Sequence, residues 1–142
     1  MKTHSVSIEA SGHENVSGEH QSTFELTTDE YLTPAGDCIL GIEADTAPNA
    51  FPDEFVSACQ HEDAILTIAI ETPSHEAELT ASGHPDLSFE STRSLVVRTS
   101  EYIDDRTIAI GASKAASDID RDLIDELASG ADVSMTIRVE RS

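Results

Sequence analysis

"ASGHENVSGEHQSTFELTTDEY" (residues 10–31) returns as "ASGHPDLSFESTRSLVVRTSEY" (residues 81–102). Nine of these 22 positions are identical. Unrelated segments would share about one or two, so self-similarity at a fixed offset marks an internal repeat. After a three-residue deletion in the second copy the match resumes. "LGIEADTA" (40–47) aligns with "IAIGASKA" (108–115), "FPDEFV" (51–56) with "IDRDLI" (119–124), and "DAILTIAIE" (63–71) with "DVSMTIRVE" (132–140). The chain reads as a single domain, 1–142, made of two copies over about 4–71 and 75–140.

Each copy carries the same string of elements. "SVSIEA" and "EAELTA" alternate polar and apolar residues, as a strand with one buried face does. Gly12-His13 and Gly83-His84 break the two patterns at the same place. Phe24 and Leu26, then Leu95 and Val97, set the phase of a second strand, with polar residues between the first pair. Cys38, Leu40, Ile42 and Ala44 share a face of a third, as do Ile108, Ile110 and Ala112. A short helix follows in each copy, its apolar residues at i, i+4 and i+8: Phe51, Phe55, Cys59, then Ile119, Leu123, Leu127. Asp53, Glu54, Asp118 and Asp120 suit helix N-termini, and Gly130 suits a helix stop. "AILTIAI" and "VSMTIRV" close the copies as strands. About eight strands and two short helices result, in a mainly β fold. The spacing predicts an internally duplicated β-sandwich, a jelly-roll-like body with the halves packed face to face across a pseudo-two-fold. A partly closed β-barrel is the alternative.

The 28 acids outweigh 8 bases, for a net charge of −20. Nothing resembles the basic face that neutralises phosphates, so no nucleic acid and no anionic membrane surface is expected as a partner. The acids are spread along the whole chain, and only two of the bases are lysines. Such a surface fits a salt-rich cytoplasm, where at molar ionic strength the Debye length falls to about 3 Å and acid–acid repulsion is screened. Cys38 and Cys59 are too few for a disulfide framework and form no CxxC. The opening "MKTHSVSIEASGHE" has no signal-peptide character, and "AILTIAI" is far too short to span a membrane. The expected setting is cytoplasmic.

Two stretches carry a family resemblance. "GHENVSGEHQSTFELTTDEYLTPAGDCILGIEAD" (12–45) has a Gly-His turn with Asn, a second His before a Thr-rich strand, and a central "GDCI". "DDRTIAIGASKAASDIDRDL" (104–123) follows later. Together they resemble the archaeal family known as domain of unknown function 371 (DUF371), and with the acidic bias its haloarchaeal version. The resemblance implies a mainly β fold and brings no activity, cofactor or catalytic residue with it.

The first copy holds polar groups that the second has lost: Asn15 stands against Asp86, His20 against Ser91, Cys38 against Arg106. The ligand-binding candidates are therefore His13, Asn15, His20, Asp37 and Cys38. Cys38 has the residue type of a nucleophile or soft metal ligand, but its phase with Leu40 and Ile42 reads as a core position. A His20–Cys38 dyad fails if residues 29–36 close an antiparallel hairpin pairing Leu26 with Leu40. The two groups would then lie about 27 Å apart along the ladder, against the ~3 Å that a nucleophile and its base need. "PAGD" (34–37) is turn chemistry with Asp37 as a cap. His13 and His84 occupy matched turns, which points to a structural bond such as a ring N–H to a backbone carbonyl; His4, His61 and His75 read as solvated. "DIDRDLIDE" lacks the glycine and spacing of an EF-hand and reads as a helix start.

No nucleotide-binding, zinc-protease or Cys/His zinc motif is present in the sequence, so any metal or cofactor stays unknown. The reading favoured is a small-ligand or protein-binding module adapted to high salt. A metal-binding protein or enzyme with a site in the first copy is the alternative. A structural homodimer without chemistry is a third, and a homo-oligomer is compatible with all of them.

Overall fold

A computed structural model describes residues 3–140; residues 1, 2, 141 and 142 lie outside them. The strands are β1 (Thr3–Ser11), β2 (Thr23–Thr27), β3 (Ile39–Gly41), β4 (Ile65–Glu71), β5 (Glu76–Ser82), β6 (Ser94–Arg98), β7 (Thr107–Ala109) and β8 (Asp132–Glu140). Helix α1 (Asp53–Cys59) precedes β4 and α2 (Arg121–Ala128) precedes β8, each behind a single 3₁₀ turn. Element type and order are those the sequence predicts.

Two four-stranded sheets form, ordered β1-β8-β4-β5 and β3-β2-β6-β7. They meet at two corners through the single bridges Ser11–Ile42 and Ser82–Ile110 and do not close into a barrel. The body is sandwich-like, but its layers are not the two halves. Each sheet takes two strands from each copy, so that β1 of the first copy pairs along its whole length with β8 of the second. The pseudo-two-fold runs between β4 and β8 in one sheet and between β2 and β6 in the other. A strand with one apolar face needs an edge to pair with as well as a face to cover it, and here each copy supplies that edge to the other.

The connection from β2 to β3 also departs from expectation: the two strands run parallel, with Glu25 opposite Ile39. β6 and β7 repeat this, with Val96 opposite Thr107. Alternating residues fit either direction equally, and the eleven residues 28–38 are long enough for a return crossing rather than a hairpin.

The inner faces of both sheets, together with the helices, form one core. Phe24 and Leu26 of β2 meet Leu95 and Val97 of β6 there, and Leu66, Ile68, Ile137 and Val139 line the other layer. Phe55 and Cys59 bury one side of α1; Leu123 and Leu127 do so for α2. Phe51, Phe55 and Phe89 meet with centroids 5.5–6.4 Å apart, mostly edge to face. Asp120 caps α2 by accepting from Asp122 N at 2.8 Å, so the acid run is the helix start expected of it.

The backbone obeys the two-fold even where side chains do not. Gly18 and Phe89, at matched positions, have φ of +57° and +54°; Glu43 and Gly111, also matched, have +55° and +59°.

Candidate functional site

Both Gly-His turns are built alike. Asn15 N donates to His13 Nδ1 at 3.0 Å, and Asp86 N donates to His84 Nδ1 at 3.0 Å. The structural bond expected of the matched histidines is present in the opposite sense: the ring nitrogen accepts, so a neutral ring carries its proton on Nε2. Glycine is required because the chain passes against the C-terminal end of the other copy's helix. A Cβ on Gly12 would lie 2.1 Å from Leu127 O, and on Gly83 2.2 Å from Cys59 O.

His20 also has a structural task. Its Nδ1 accepts from Ser22 N at 3.2 Å and Thr23 N at 3.1 Å. In the second copy Ser91 Oγ accepts from Arg93 N and Ser94 N, both at 3.2 Å. Ring and hydroxyl perform one job. Two other histidines are less solvated than the sequence implies: His75 Nδ1 lies 2.8 Å from Glu126 Oε1, and His4 Nδ1 lies 3.9 Å from Glu54.

Cys38 is not a core residue. Two successive turns, closed by Gly36 N to Thr33 O at 3.0 Å and Ile39 N to Gly36 O at 3.2 Å, delay the strand until Ile39. Leu40, Ile42 and Ala44 keep the inward phase, while Cys38 sits half-buried beside the outer face of β2. The parallel pairing also removes the hairpin behind the 27 Å separation. Glu19 N and His20 N both donate to Asp37 O, at 3.1 and 3.3 Å, so His20, Asp37 and Cys38 are neighbours. The role visible for Asp37 is that of its backbone carbonyl. Thr23 links the pair, its hydroxyl 3.0 Å from His20 Nδ1 and hydrogen-bonded to the Cys38 thiol.

The acid–base partner of that thiol is a residue the sequence reading passed over. Cys38 Sγ donates to Glu25 Oε1 at 3.6 Å, and Arg106 Nη1 stands 3.8 Å from the same oxygen. Glu25 lies mid-strand on the outer face of β2, yet the surrounding loops leave it only 8% exposed. Burial pushes its carboxyl above the usual range, opposed by Arg106, Cys38 and Ser94. Burial, reinforced by the Glu25 charge, pushes the Cys38 thiol up to about 11. Glu25 and Val96 are both cross-strand partners and repeat equivalents, so the pseudo-two-fold passes between them. Cys38 and Arg106 flank them symmetrically: Glu25 N donates to Cys38 O at 2.9 Å and Val96 N to Arg106 O at 2.8 Å. A signal for Glu25 existed in the repeat itself. A charge aligned with valine in the same register does not occupy a solvated position.

A cleft of about 590 Å³ opens beside the Gly83-His84 turn, lined by Glu62 of the first copy and by Ser82, Gly83, His84, Asp86, Glu101, Ile103 and Ile110 of the second. At the matched place in the first copy a side chain ties the turn to the following loop. Asn15 Nδ2 donates to Leu32 O at 2.7 Å, and the Leu32 side chain is buried against Gly36. Asp86, at the position of Asn15, has no hydrogen to give to the Ile103 carbonyl. His13 and Asn15 thus act where the turn is tied to the loop, and His20 and Asp37 act at the backbone around Cys38.

Among the described residues no three His, Cys, Asp or Glu side chains are arranged to hold a metal ion. No helix among them is long and apolar enough to cross a membrane. Compared with known proteins, the chain is 38% identical over 132 residues to the uncharacterized protein MJ0206 of Methanocaldococcus jannaschii, covering 93% of this chain and 97% of that protein. A family model described as "Domain of unknown function (DUF371)" matches residues 8–140. The resemblance read from residues 12–45 and 104–123 therefore holds for nearly the whole chain, which belongs to the DUF371 family.

Proposed function

We propose that this protein is a small-ligand-binding module whose site is the cleft between the Gly83-His84 turn and the loop of Glu101 and Ile103. The observation that carries the reading is that cleft's volume, about 590 Å³, within the range of roughly 300–1,000 Å³ typical of ligand pockets. Support comes from the matched turn: in the first copy Asn15 ties it to the Leu32 loop, and the second copy has an acid there that cannot donate such a bond. Glu62, Asp86 and Glu101 bring three carboxylates to the lining and Ile103 and Ile110 an apolar wall. This chemistry suits a small molecule with a cationic group and a short hydrocarbon part. The test is a titration of ¹⁵N-labelled protein with n-butylammonium and, in parallel, with glycerol. Shift changes confined to residues 62, 82–86, 101–103 and 110, saturating with the amine alone, are expected. Saturable shifts elsewhere, or none with either probe, would overturn the assignment.

The charge of −20 fits a haloarchaeal cytoplasm as this protein's setting. Thermal melts between low and molar KCl test that part: stability rising steeply with salt is expected, and a flat response would refute it.

A further inference from the structure

We propose that Cys38, Glu25 and Arg106 form a second site, a thiol-nucleophile centre for acyl transfer assembled from both copies at the pseudo-two-fold. The parts stand in the order the chemistry needs. The thiol donates to Glu25 Oε1 at 3.6 Å, which makes Glu25 the base for its proton. Arg106 is held to the same oxygen at 3.8 Å and to Asp104 Oδ2 at 3.5 Å, while its side chain remains 45% exposed. Its guanidinium is therefore both positioned and open to a carbonyl oxygen approaching from solvent. Cys38 is half-buried, whereas Cys59 is fully enclosed by the core.

The fold contains its own control for the structural explanation. Val96 occupies the two-fold equivalent of Glu25, in the same register and with the same backbone bonds, and is buried at 2% exposure. The sheet is thus satisfied by valine there. A carboxyl at that place carries a desolvation cost that the architecture does not require, as functional residues commonly do. The related arrangement about Val96 has no base, so the centre occurs once. His20 does not serve as that base through Nδ1, which already accepts two backbone N–H groups.

The substrate class is a small ester or thioester. Cys38 Sγ attacks the acyl carbon; the S–C bond forms, the thiol proton passes to Glu25, and the carbonyl electron pair moves to the oxygen beside Arg106. Collapse breaks the bond to the leaving alcohol or thiol, which takes the proton from Glu25. Water then adds to the thioester with Glu25 accepting its proton, the C–S bond breaks, and the proton returns to sulfur. The sum is acyl–X plus water giving acid plus HX.

The experiment uses the full chain with p-nitrophenyl acetate, read by nitrophenolate release and by intact and peptide mass spectrometry. An acetyl adduct on Cys38 is expected, absent in Cys38→Ser. Glu25→Gln should slow its formation by about 10²-fold or more, the scale of general-base catalysis. The pH profile separates this from a structural role. With Glu25 as base the wild-type rate levels off well below pH 11, whereas Glu25→Gln should rise continuously toward the thiol's own ionisation. Glu25→Val, which copies the second half of the chain, keeps the comparison available if the glutamine variant folds poorly. Adduct on Cys59 or lysine only, no adduct, or equal rates and pH profiles in wild type and both variants would overturn the proposal.

Discussion

Asn15→Asp gives the first copy the residue that the second carries at the same place, and its cost follows from the bond that ties the turn to the loop. Asn15 Nδ2 donates to the Leu32 carbonyl at 2.7 Å, and the Leu32 side chain is 5% exposed. A carboxylate has no hydrogen to offer and turns its lone pairs toward those of the carbonyl. Removing one partner of a buried neutral hydrogen bond costs about 1–3 kcal/mol. If the loop then swings out and Leu32 re-enters water, roughly 2 kcal/mol of apolar burial is lost as well. The expected destabilisation is therefore about 1–5 kcal/mol, or at ~3 °C per kcal/mol a fall in Tm of some 3–15 °C. Urea denaturation of wild type and variant measures it. The reciprocal Asp86→Asn supplies an amide opposite the Ile103 carbonyl, which should stabilise by about 1 kcal/mol and abolish the amine response of the cleft. An Asn15→Asp variant within ~0.5 kcal/mol of wild type, or an Asp86→Asn variant that still binds n-butylammonium, would show that this bond does not control the turn or the cleft.

Gly83→Ala places a Cβ 2.2 Å from the backbone oxygen of Cys59, where nothing flexible is available to yield, so a loss of about 3 kcal/mol or more is expected in the same denaturation assay. An Ala variant of native stability would refute the close-approach explanation of the retained glycines. Burial raises the Glu25 carboxyl, so the folded state is relatively favoured below pH 4.5 and that advantage is lost as pH rises through the raised value. Glu25→Gln should accordingly melt higher than wild type at pH 7 and no higher at pH 4; the same difference at both pH values would count against a costly buried charge. His75 is raised by its bond to Glu126, and Glu126 is lowered by Thr72 first and His75 next. Their contribution is complete between about pH 4.5 and 6.5, fading above as His75 deprotonates and below as Glu126 protonates. His75→Ala should lower Tm at pH 5.5 and leave it unchanged at pH 9; equal losses at both would mean that packing, not the ion pair, is at work.

The repeat made most of the fold legible, because matched alternation in two copies separates a real strand from a chance run. Ile8 and Ala10, Leu66 and Ile68, Phe55 and Cys59 are all buried where their phase puts them. Strand direction was not legible. Phe24 and Leu26 present the same face whether β3 runs beside them or against them, and the parallel choice is what brings Asp37 to His20. Neither was the exchange of partners between copies, since β1 fits the edge of β8 as well as it would fit its own copy's β4. Glu25 was missed because one acid between Phe24 and Leu26 looks like an ordinary solvated face. Only the loops folded over that face, from segments far apart in sequence, make it a buried one. The cleft escaped for a different reason: its lining comes from segments far apart in sequence, and sequence records atoms rather than gaps.

A duplicated chain offers a test of function that a single-copy fold lacks, because each residue has a counterpart under nearly the same backbone constraint. His20 and Ser91 accept the same two kinds of N–H group; Glu43 and Gly111 adopt the same left-handed conformation. Differences of that kind are alternative solutions to one structural demand, and they imply no chemistry even when histidine is involved. Glu25 against Val96 and Asn15 against Asp86 are unlike them. In the first pair the fold is already satisfied by the apolar residue, so the charge is a cost that packing does not return. In the second, one side chain ties a turn to the neighbouring loop and the other, lining a cleft, cannot donate that bond. Ranking positions by whether the partner performs the same task, rather than by how reactive the side chain is, moves attention from His13 and His20 to Glu25, Arg106 and Asp86. The loop of residues 100–106 lends Glu101 and Ile103 to the cleft and Arg106 to the thiol, which makes it the segment where substitutions should disturb both sites at once.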